Sequence, residues 1–247
     1  MRRDALAHLL RKETRQLARN RMALITAAIL PFVIFLLAPI QLLIQLRLAG
    51  SLFAGTEGAP LPGLSGFEDP MQILAQVIYP MLLVIGGMLL PSMTTTYTIV
   101  AERERRSLEL LIALPVSVSE ILAAKLLSVL LFSLLIGLPY FAIVTALLVV
   151  LGIATLATIP ALLFPFLAAL VCSIGVSLII TLLARDFRTA NNLNGVLAVP
   201  VLAIAIVTLL TVGGPARTYV LGTALLVAGA LATFIAIRWI SFERYLE

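Results

Sequence analysis

The sequence contains very few of the residues that carry most enzyme chemistry. Its 247 residues include one cysteine, Cys172, one histidine, His8, and two lysines, Lys12 and Lys125. A disulfide needs a second cysteine, a zinc-protease motif needs two histidines, and a P-loop needs a lysine that follows a glycine. We therefore predict that the chain is not an enzyme, that it holds no metal or cofactor of its own, and that any ATP is bound by another protein.

Charged residues are also scarce. Only 12% of the residues are charged and 62% are apolar, with a mean hydropathy of +1.14, whereas soluble domains contain roughly 25% charged residues. About six stretches reach the roughly 20 apolar residues that a transmembrane helix needs: 22–46, 71–99, 120–150, 155–184, 190–212 and 217–240. We predict an all-α membrane protein with a cytoplasmic segment over 1–21, a six-span domain over 22–240 and a tail over 241–247.

The basic residues indicate the orientation of the spans. With six spans, 15 of the 17 lysines and arginines fall on the side that carries both termini, and only Arg47 and Arg217 fall on the other. Because basic residues accumulate in cytoplasmic loops, both termini are predicted to be cytoplasmic, in a multi-pass protein of the plasma (inner) membrane. The net charge of +5 is explained by this orientation and requires no nucleic-acid partner.

The N-terminal segment has the pattern of an amphipathic helix. Residues 4–20 repeat leucines at helical period, while Arg11, Lys12 and Arg15 occupy the opposite side. Such a helix is predicted to lie along the cytoplasmic surface of the bilayer. Glu13 falls on the leucine face, where it either meets a protein partner or extends outward to water.

Polar residues within the spans have two interpretations. Gln72 and Gln76 lie one helical turn apart near the outer end of the second predicted span, and Thr94 and Thr95 lie near its cytoplasmic end. Polar and hydroxyl side chains commonly mediate helix packing in lipid. The alternative is that these four residues line a translocation path. No span has an ionisable residue well inside it, which argues against a proton-driven carrier.

The fourth predicted span contains small residues at a characteristic spacing. Ser173 and Ser177 stand four positions apart around Gly175. This spacing allows two helix backbones to approach closely. We expect a tight helix crossing there.

A charged segment, "ERERRSLELLIALPVSVSEI" over 102–121, separates the second and third spans. Leu108, Leu111 and Ile112 give a short helix one apolar face. Pro115 ends this helix, because the residue before a proline disfavours the helical conformation. Ser117 with Glu120 then forms a capping-box pattern that begins the third span. The pattern predicts a short cytoplasmic helix, a turn and a new span, which together we call the elbow.

The elbow is either a docking element or a membrane-surface turn without a partner. On a helical wheel Leu110 lies opposite Leu108, among Arg103 and Arg106. If Leu108 faces the membrane, Leu110 is exposed to the cytoplasm. An exposed leucine surrounded by charges suits a groove on a partner protein.

The segment "ERERRSLELLIALPVSVSEILAAKLL" over 102–127 resembles the signature of type-2 ABC transporter permeases. That signature, E-x-E-R-x-S/T-L-E-x-L-L-x-x-P-V-S, follows the second span and leads into a K-L-L third span. The six-span layout and the basic N-terminal helix agree with the resemblance. It implies a homo- or heterodimer of permease subunits in the lipid bilayer, each docked on a cytoplasmic ABC ATPase subunit that binds ATP and Mg.

The resemblance also implies roles for individual residues. The elbow would be the coupling helix that contacts the ATPase, through Glu102, Arg103, Arg105, Arg106, Leu108, Glu109, Leu110, Leu111 and Pro115. The N-terminal helix would be the interface helix beside it, with Arg11, Lys12, Glu13 and Arg15. The segment "RDFRTANN" over 185–192 would add a smaller contact.

Other functions stay open. Exporters dominate the family, so export is expected. Many members have re-entrant helices between the fifth and sixth spans; here only about six residues separate these runs, so this element is expected to be reduced or absent unless the fifth run breaks at Pro200. The compact layout is also similar to the membrane subunit of cytochrome c maturation heme exporters. A non-transport membrane scaffold and an unpowered channel are alternatives from other classes.

Overall fold

The structure is a computed structural model that describes residues 12, 25, 29, 32–52, 70–95, 118–184, 186–214 and 216–239. Every regular element in these ranges is a helix. We number them α1 (Phe32–Leu37 and Ala38–Leu52), α2 (Pro70–Ile73, Leu74–Ile78 and Tyr79–Thr95), α3 (Val118–Val150), α4 (Thr158–Leu183), α5 (Phe187–Thr211) and α6 (Ala216–Trp239). The all-α prediction is confirmed for this part of the chain.

Five helices are long and apolar enough to cross a membrane. They are α2 to α6, over Met71–Thr95, Ala123–Val150, Thr158–Ile180, Arg188–Thr211 and Ala216–Ala236. The last five predicted spans each lie on one of these helices. The first predicted span, 22–46, is described over 25, 29 and 32–46, and its apolar helix there, Phe32–Gln45, is shorter than the others. The count of six spans therefore stays a prediction.

Two helices change their hydrogen-bond register just before a proline. The segments Phe32–Leu37 and Leu74–Ile78 are π-helical, and Pro39 and Pro80 follow them. A proline ring crowds the carbonyl four residues earlier, and i→i+5 bonding offers another arrangement of that turn. In α2 the Tyr79 N–H accordingly bonds to the carbonyl of Leu74.

The fifth helix passes through its proline without a break. Helix α5 is continuous over Phe187–Thr211, with Pro200 inside it. The following residues 212–214 are not helical, and α6 begins at Ala216. The expectation of a reduced gate element between these two helices agrees with the described part of this connection.

The centre of the bundle is built around α4. Its Phe166 ring packs edge-to-face on Phe35 of α1 at 5.7 Å and is stacked with Phe141 of α3 at 5.8 Å. All three rings are buried. Aromatic pairs at these distances add to the energy of simple burial. These contacts join α1, α3 and α4 into one core.

The predicted tight crossing lies between α4 and α6. A Cβ on Gly175 would lie 2.6 Å from the carbonyl oxygen of Gly229, and one on Gly229 would lie 2.7 Å from the Cα of Cys172. The two backbones are thus in direct contact, and the prediction is confirmed. Ser173 faces another neighbour, α2, where its hydroxyl donates a 2.5 Å hydrogen bond to the Met88 carbonyl. Small residues therefore let α4 pack closely on two helices.

Candidate functional site

A polar concavity lies at the end of the bundle where the α3–α4 turn and the α5–α6 connection meet the start of α2. This cavity, which we call the end cavity, has a volume of about 440 Å³. Its apolar lining comes mainly from alanines and from Ile153 and Leu162. Its polar lining comes from three helices and the α3–α4 turn: Gln72, Gln76, Thr155, Thr158, Arg217 and Thr218.

The two glutamines reach the cavity from the first turns of α2. Gln72 lies in the short helix Pro70–Ile73 and Gln76 in the π-helical segment that follows. Both side chains are exposed. Residues four apart share one face of a helix, and the structure brings both glutamines to the same cavity. The predicted pairing of Gln72 with Gln76 at one end of the span is therefore seen.

The α3–α4 turn forms another wall. It is closed by hydrogen bonds from Ile153 N and Ala154 N to the carbonyl of Leu148, at 3.0 and 3.1 Å. Gly152 has a φ of 70°, a conformation that glycine adopts without the steric cost of a Cβ. The Thr158 hydroxyl then donates to the Thr155 carbonyl at 2.6 Å. This geometry places Thr155 and Thr158 together at the start of α4.

The third wall contains the only charged side chain among the described residues that line the cavity. Arg217 is the second residue of α6, and 7% of its surface is exposed. The preceding Gly214 has a φ of 71° and accepts a 3.4 Å hydrogen bond from Arg217 N. Burying a guanidinium within a spanning helix is costly, and such residues often mark functional sites.

The distribution of basic residues assigns Arg217 to an outer loop, and the sequence predicts no site role for it. The structure places it inside the helix boundary and in the cavity wall. One local signal could have drawn attention to it. A positive charge near a helix N-terminus opposes the helix dipole, so an arginine at this position is not explained by helix stability.

Thr94 and Thr95 lie away from the end cavity. Both are at the opposite end of α2, with exposures of 2% and 1%. Their hydroxyls donate to carbonyls of their own helix, Thr94 to Leu90 at 2.8 Å and Thr95 to Pro91 at 2.7 Å. The structure therefore separates the four predicted path-lining residues into a glutamine pair and a threonine pair.

A second, smaller cavity lies between α2, α4 and α5. Its volume is about 160 Å³, and its lining is mainly apolar, with Ser92, Ser173 and Asn194 as polar members. The Ser92 hydroxyl donates to the Leu89 carbonyl at 3.1 Å. The serine hydroxyls that line this cavity thus bond to backbone carbonyls of α2, which indicates a role in helix packing.

Lys125 was counted with the cytoplasmic charges and is buried in the structure. It lies in the early part of α3 with 1% exposure. The hydroxyl of Ser128 donates to its main-chain carbonyl at 2.7 Å. Its charge is therefore enclosed by protein rather than displayed on the surface.

The start of α5 has a well-formed cap. Asp186 is the N-cap residue; one carboxylate oxygen accepts from Thr189 N at 2.7 Å and the other from the Thr189 hydroxyl at 2.8 Å. These hydrogen bonds lower the pKa of the Asp186 carboxyl below its ordinary value. The nearby Arg188, Asn191 and Asn192 are exposed, so this end of α5 offers a polar surface.

The residues predicted to meet an ATPase lie mostly outside the described residues. This applies to the whole elbow set, Glu102, Arg103, Arg105, Arg106, Leu108, Glu109, Leu110, Leu111 and Pro115, and to Arg11, Glu13 and Arg15. Lys12 is described; it is helical and exposed. Their roles stay predictions. Within the ranges that the structure describes, no three His, Cys, Asp or Glu side chains are grouped to hold a metal ion.

Comparison with known proteins gives the family. A family model described as ABC-2 family transporter protein matches residues 55–222, well over half of the chain. No curated protein and no solved structure matches the chain. The matched range includes the elbow, the end-cavity residues from Gln72 to Thr218, the four long apolar helices α2 to α5 and the start of α6. The chain therefore belongs to the ABC-2 transporter family and is a multi-pass membrane permease of the type-2 ABC class.

Proposed function

We propose that this permease is the path-forming subunit of an ATP-driven exporter, coupled through the elbow to a separate cytoplasmic ATPase. The family match over 55–222 carries this proposal, because it spans the elbow as well as the helices on either side of it. Family members are membrane subunits that typically work with an ATPase and are generally not catalytic themselves. ATP and Mg would bind to that partner.

The orientation follows from the distribution of basic residues. In the proposed topology the α5 start with its exposed Arg188 faces the cytoplasm, together with the elbow and Lys12. The end cavity lies at the opposite end of the bundle and would open to the outside. A substrate released by an exporter would leave on that side, past Gln72 and Gln76.

The second permease subunit is proposed to pack against α5. Among the five helices long enough to span a membrane, α5 has the smallest buried fraction. Its exposed side chains include Val196, Val199 and Val207, with exposures of 65%, 63% and 59%. β-Branched residues give a rigid apolar surface suited to helix packing. Two copies, or this chain and a related one, would enclose the path between them.

Co-purification tests the coupling directly. We would purify the chain from its native membrane in mild detergent, as wild type and as a Glu109→Ala, Leu110→Ala double variant, and measure ATP hydrolysis by the proteins that accompany it. A control is the Leu156→Ala variant. It also removes a leucine, and it lies in the exposed α3–α4 turn, outside the lining of the end cavity.

The proposal expects an ATPase with wild type and with the control, and its loss from the elbow variant. Co-purification of an ATPase with all three proteins would show that these elbow side chains are not needed for the contact. Absence of any ATPase, under conditions that keep other membrane complexes intact, would contradict the proposed function. A partner bound without ATP-driven flux would then indicate a scaffold, and flux without ATP would indicate a channel.

A further inference from the structure

The end cavity combines a buried positive charge with uncharged hydrogen-bonding groups. Arg217 is buried, with 7% of the residue surface exposed, yet its side chain lines a cavity of about 440 Å³. The other polar groups around it are amides and hydroxyls, from Gln72, Gln76 and Thr155 among others. No acidic side chain is present among the described residues of the lining. The fixed charge of this lining is therefore positive.

The backbone adds to the positive electrostatic potential in the cavity. Thr158 is the first residue of α4, and α6 begins at Ala216, one residue before Arg217. The first turns of two long helices thus meet at the cavity. Each helix N-terminus carries a partial positive charge from its aligned peptide dipoles. In a concave site these partial charges add to the charge of the guanidinium.

In the proposed topology Arg217 lies on the outer side, so the positive-inside rule does not account for it. It lies in a concave wall, together with threonines from two helices. A guanidinium has five N–H donors in a planar fork, so it can bind a ligand alongside its other contacts. Two of these donors match the spacing of two oxygens on one phosphate.

We propose that the end cavity is a binding site for a phosphate-type oxyanion, which Arg217 contacts through its guanidinium. Gln72, Gln76 and the threonine hydroxyls would donate further hydrogen bonds to the oxyanion or to the group that bears it. The phosphate could belong to a lipid headgroup or to a soluble compound. If the bound compound is the transported one, which rests on the proposed function, the substrate of the permease has an anionic head.

Binding can be measured without ATP or a partner. The full chain would be reconstituted in phosphatidylcholine nanodiscs, and its thermal unfolding midpoint followed during titration with inorganic phosphate, at an ionic strength held constant with sodium chloride. A second arm would use nanodiscs that contain phosphatidylglycerol and no added phosphate. A rise in the first arm identifies a soluble phosphate as a sufficient ligand, and a rise in the second alone identifies the lipid headgroup.

Three variants make the measurement specific. Arg217→Gln removes the charge. It should raise the phosphate concentration needed for half-saturation by about 10-fold or more, the usual effect of losing a charged hydrogen bond. Arg217→Lys keeps the charge without the planar fork and should give an intermediate response. Arg238→Gln is the matched control, because Arg238 is exposed at the other end of the same helix, above the Phe234 ring. It should respond as wild type does.

Gln76→Leu extends the test if the Arg217 variants fold poorly. Gln76 is exposed, so its replacement should be tolerated while phosphate binding weakens. The proposal is overturned if wild type responds in neither arm, or if the Arg217 and Gln76 variants respond as wild type does. Because the assay contains no ATPase, its failure would leave the proposed function untouched, and failure of the co-purification would leave a positive binding result standing.

Discussion

Gly175 of α4 and Gly229 of α6 lie opposite each other where the two helix backbones are in direct contact. A Cβ on Gly175 would meet the Gly229 carbonyl oxygen at 2.6 Å and the Thr233 hydroxyl at 2.7 Å. The obstacle at Gly229 is backbone, which cannot rotate away as a side chain can. The crossing therefore requires glycine at this position.

Gly175→Ala should destabilise the protein. Overpacking a close-packed contact typically costs about 1–3 kcal/mol, and here the helices must separate to admit the methyl group. The thermal unfolding midpoint in detergent measures the effect. Gly195→Ala in α5 is the control, because no atom lies within 4 Å of its added Cβ. It should be neutral or stabilising by up to about 1 kcal/mol; equal losses in both variants would contradict the described crossing.

The serines of α4 should differ in their contributions. Ser173 donates to the Met88 carbonyl, so Ser173→Ala should lower stability by about 0.6 kcal/mol, the average for such bonds in a membrane protein. The buried Ser177 hydroxyl has no hydrogen-bond partner among the described residues, so Ser177→Ala should be neutral or slightly stabilising. Unfolding by denaturant in mixed micelles can compare them. A larger loss at Ser177 than at Ser173 would refute this assignment.

The Asp186 cap should make the start of α5 sensitive to pH. Its hydrogen bonds to Thr189 favour the ionised carboxyl and so depress its pKa in the folded protein. The cap therefore stabilises α5 at pH values above the unfolded-state pKa of about 3.9 and is lost as the pH falls through the lower folded-state pKa. Hydrogen exchange at the first turn of α5 should be slower in wild type than in Asp186→Ala at neutral pH, and this difference should shrink in acid.

Asp186→Asn separates the charge from the cap. Asparagine also accepts a hydrogen bond at an N-cap but does not titrate. The difference in hydrogen exchange between Asp186→Asn and Asp186→Ala should therefore stay constant with pH. If the difference in hydrogen exchange between wild type and Asp186→Ala also stayed constant down to acid pH, a cap that titrates would be contradicted.

The proposed orientation can be tested with single cysteines. Cys172 is buried, and a Cys172→Ala background removes it. A membrane-impermeant thiol reagent added to intact cells should label Leu156→Cys, whose leucine is 73% exposed in the α3–α4 turn. It should label Asn192→Cys only after permeabilisation. The reverse pattern would invert the topology and would place the end cavity in the cytoplasm.

The sequence predicted the long helices well because apolar length alone determines them. Runs such as 120–150 exceed the roughly 20 residues needed to cross a bilayer, and the structure places helix α3 over Val118–Val150. The small-residue spacing around Gly175 also predicted a local contact correctly. These features depend on neighbours within one helix or on residue size.

Features that depend on distant parts of the chain were not predictable in the same way. The burial of Arg217 requires the α3–α4 turn and the start of α2 to lie beside α6, and nothing near residue 217 encodes that. Likewise Thr94 and Thr95 look the same as path-lining hydroxyls in the sequence, but their hydroxyls bond to their own helix. The π-helical turns before Pro39 and Pro80 are not among the predictions, although each has a local cause in the proline that follows it.

Crosslinking at position 110 tests the central claim most directly, namely that the elbow contacts an ATPase. In the Cys172→Ala background, Leu110→Cys and Leu156→Cys would each be labelled with a reagent that carries a thiol-reactive group and a photoreactive group. After illumination in native membranes the adducts would be identified by mass spectrometry. We expect a nucleotide-binding subunit crosslinked at position 110 and none at position 156, in the exposed turn at the other end of the bundle. No such adduct at position 110, or the same adduct at both positions, would contradict the account.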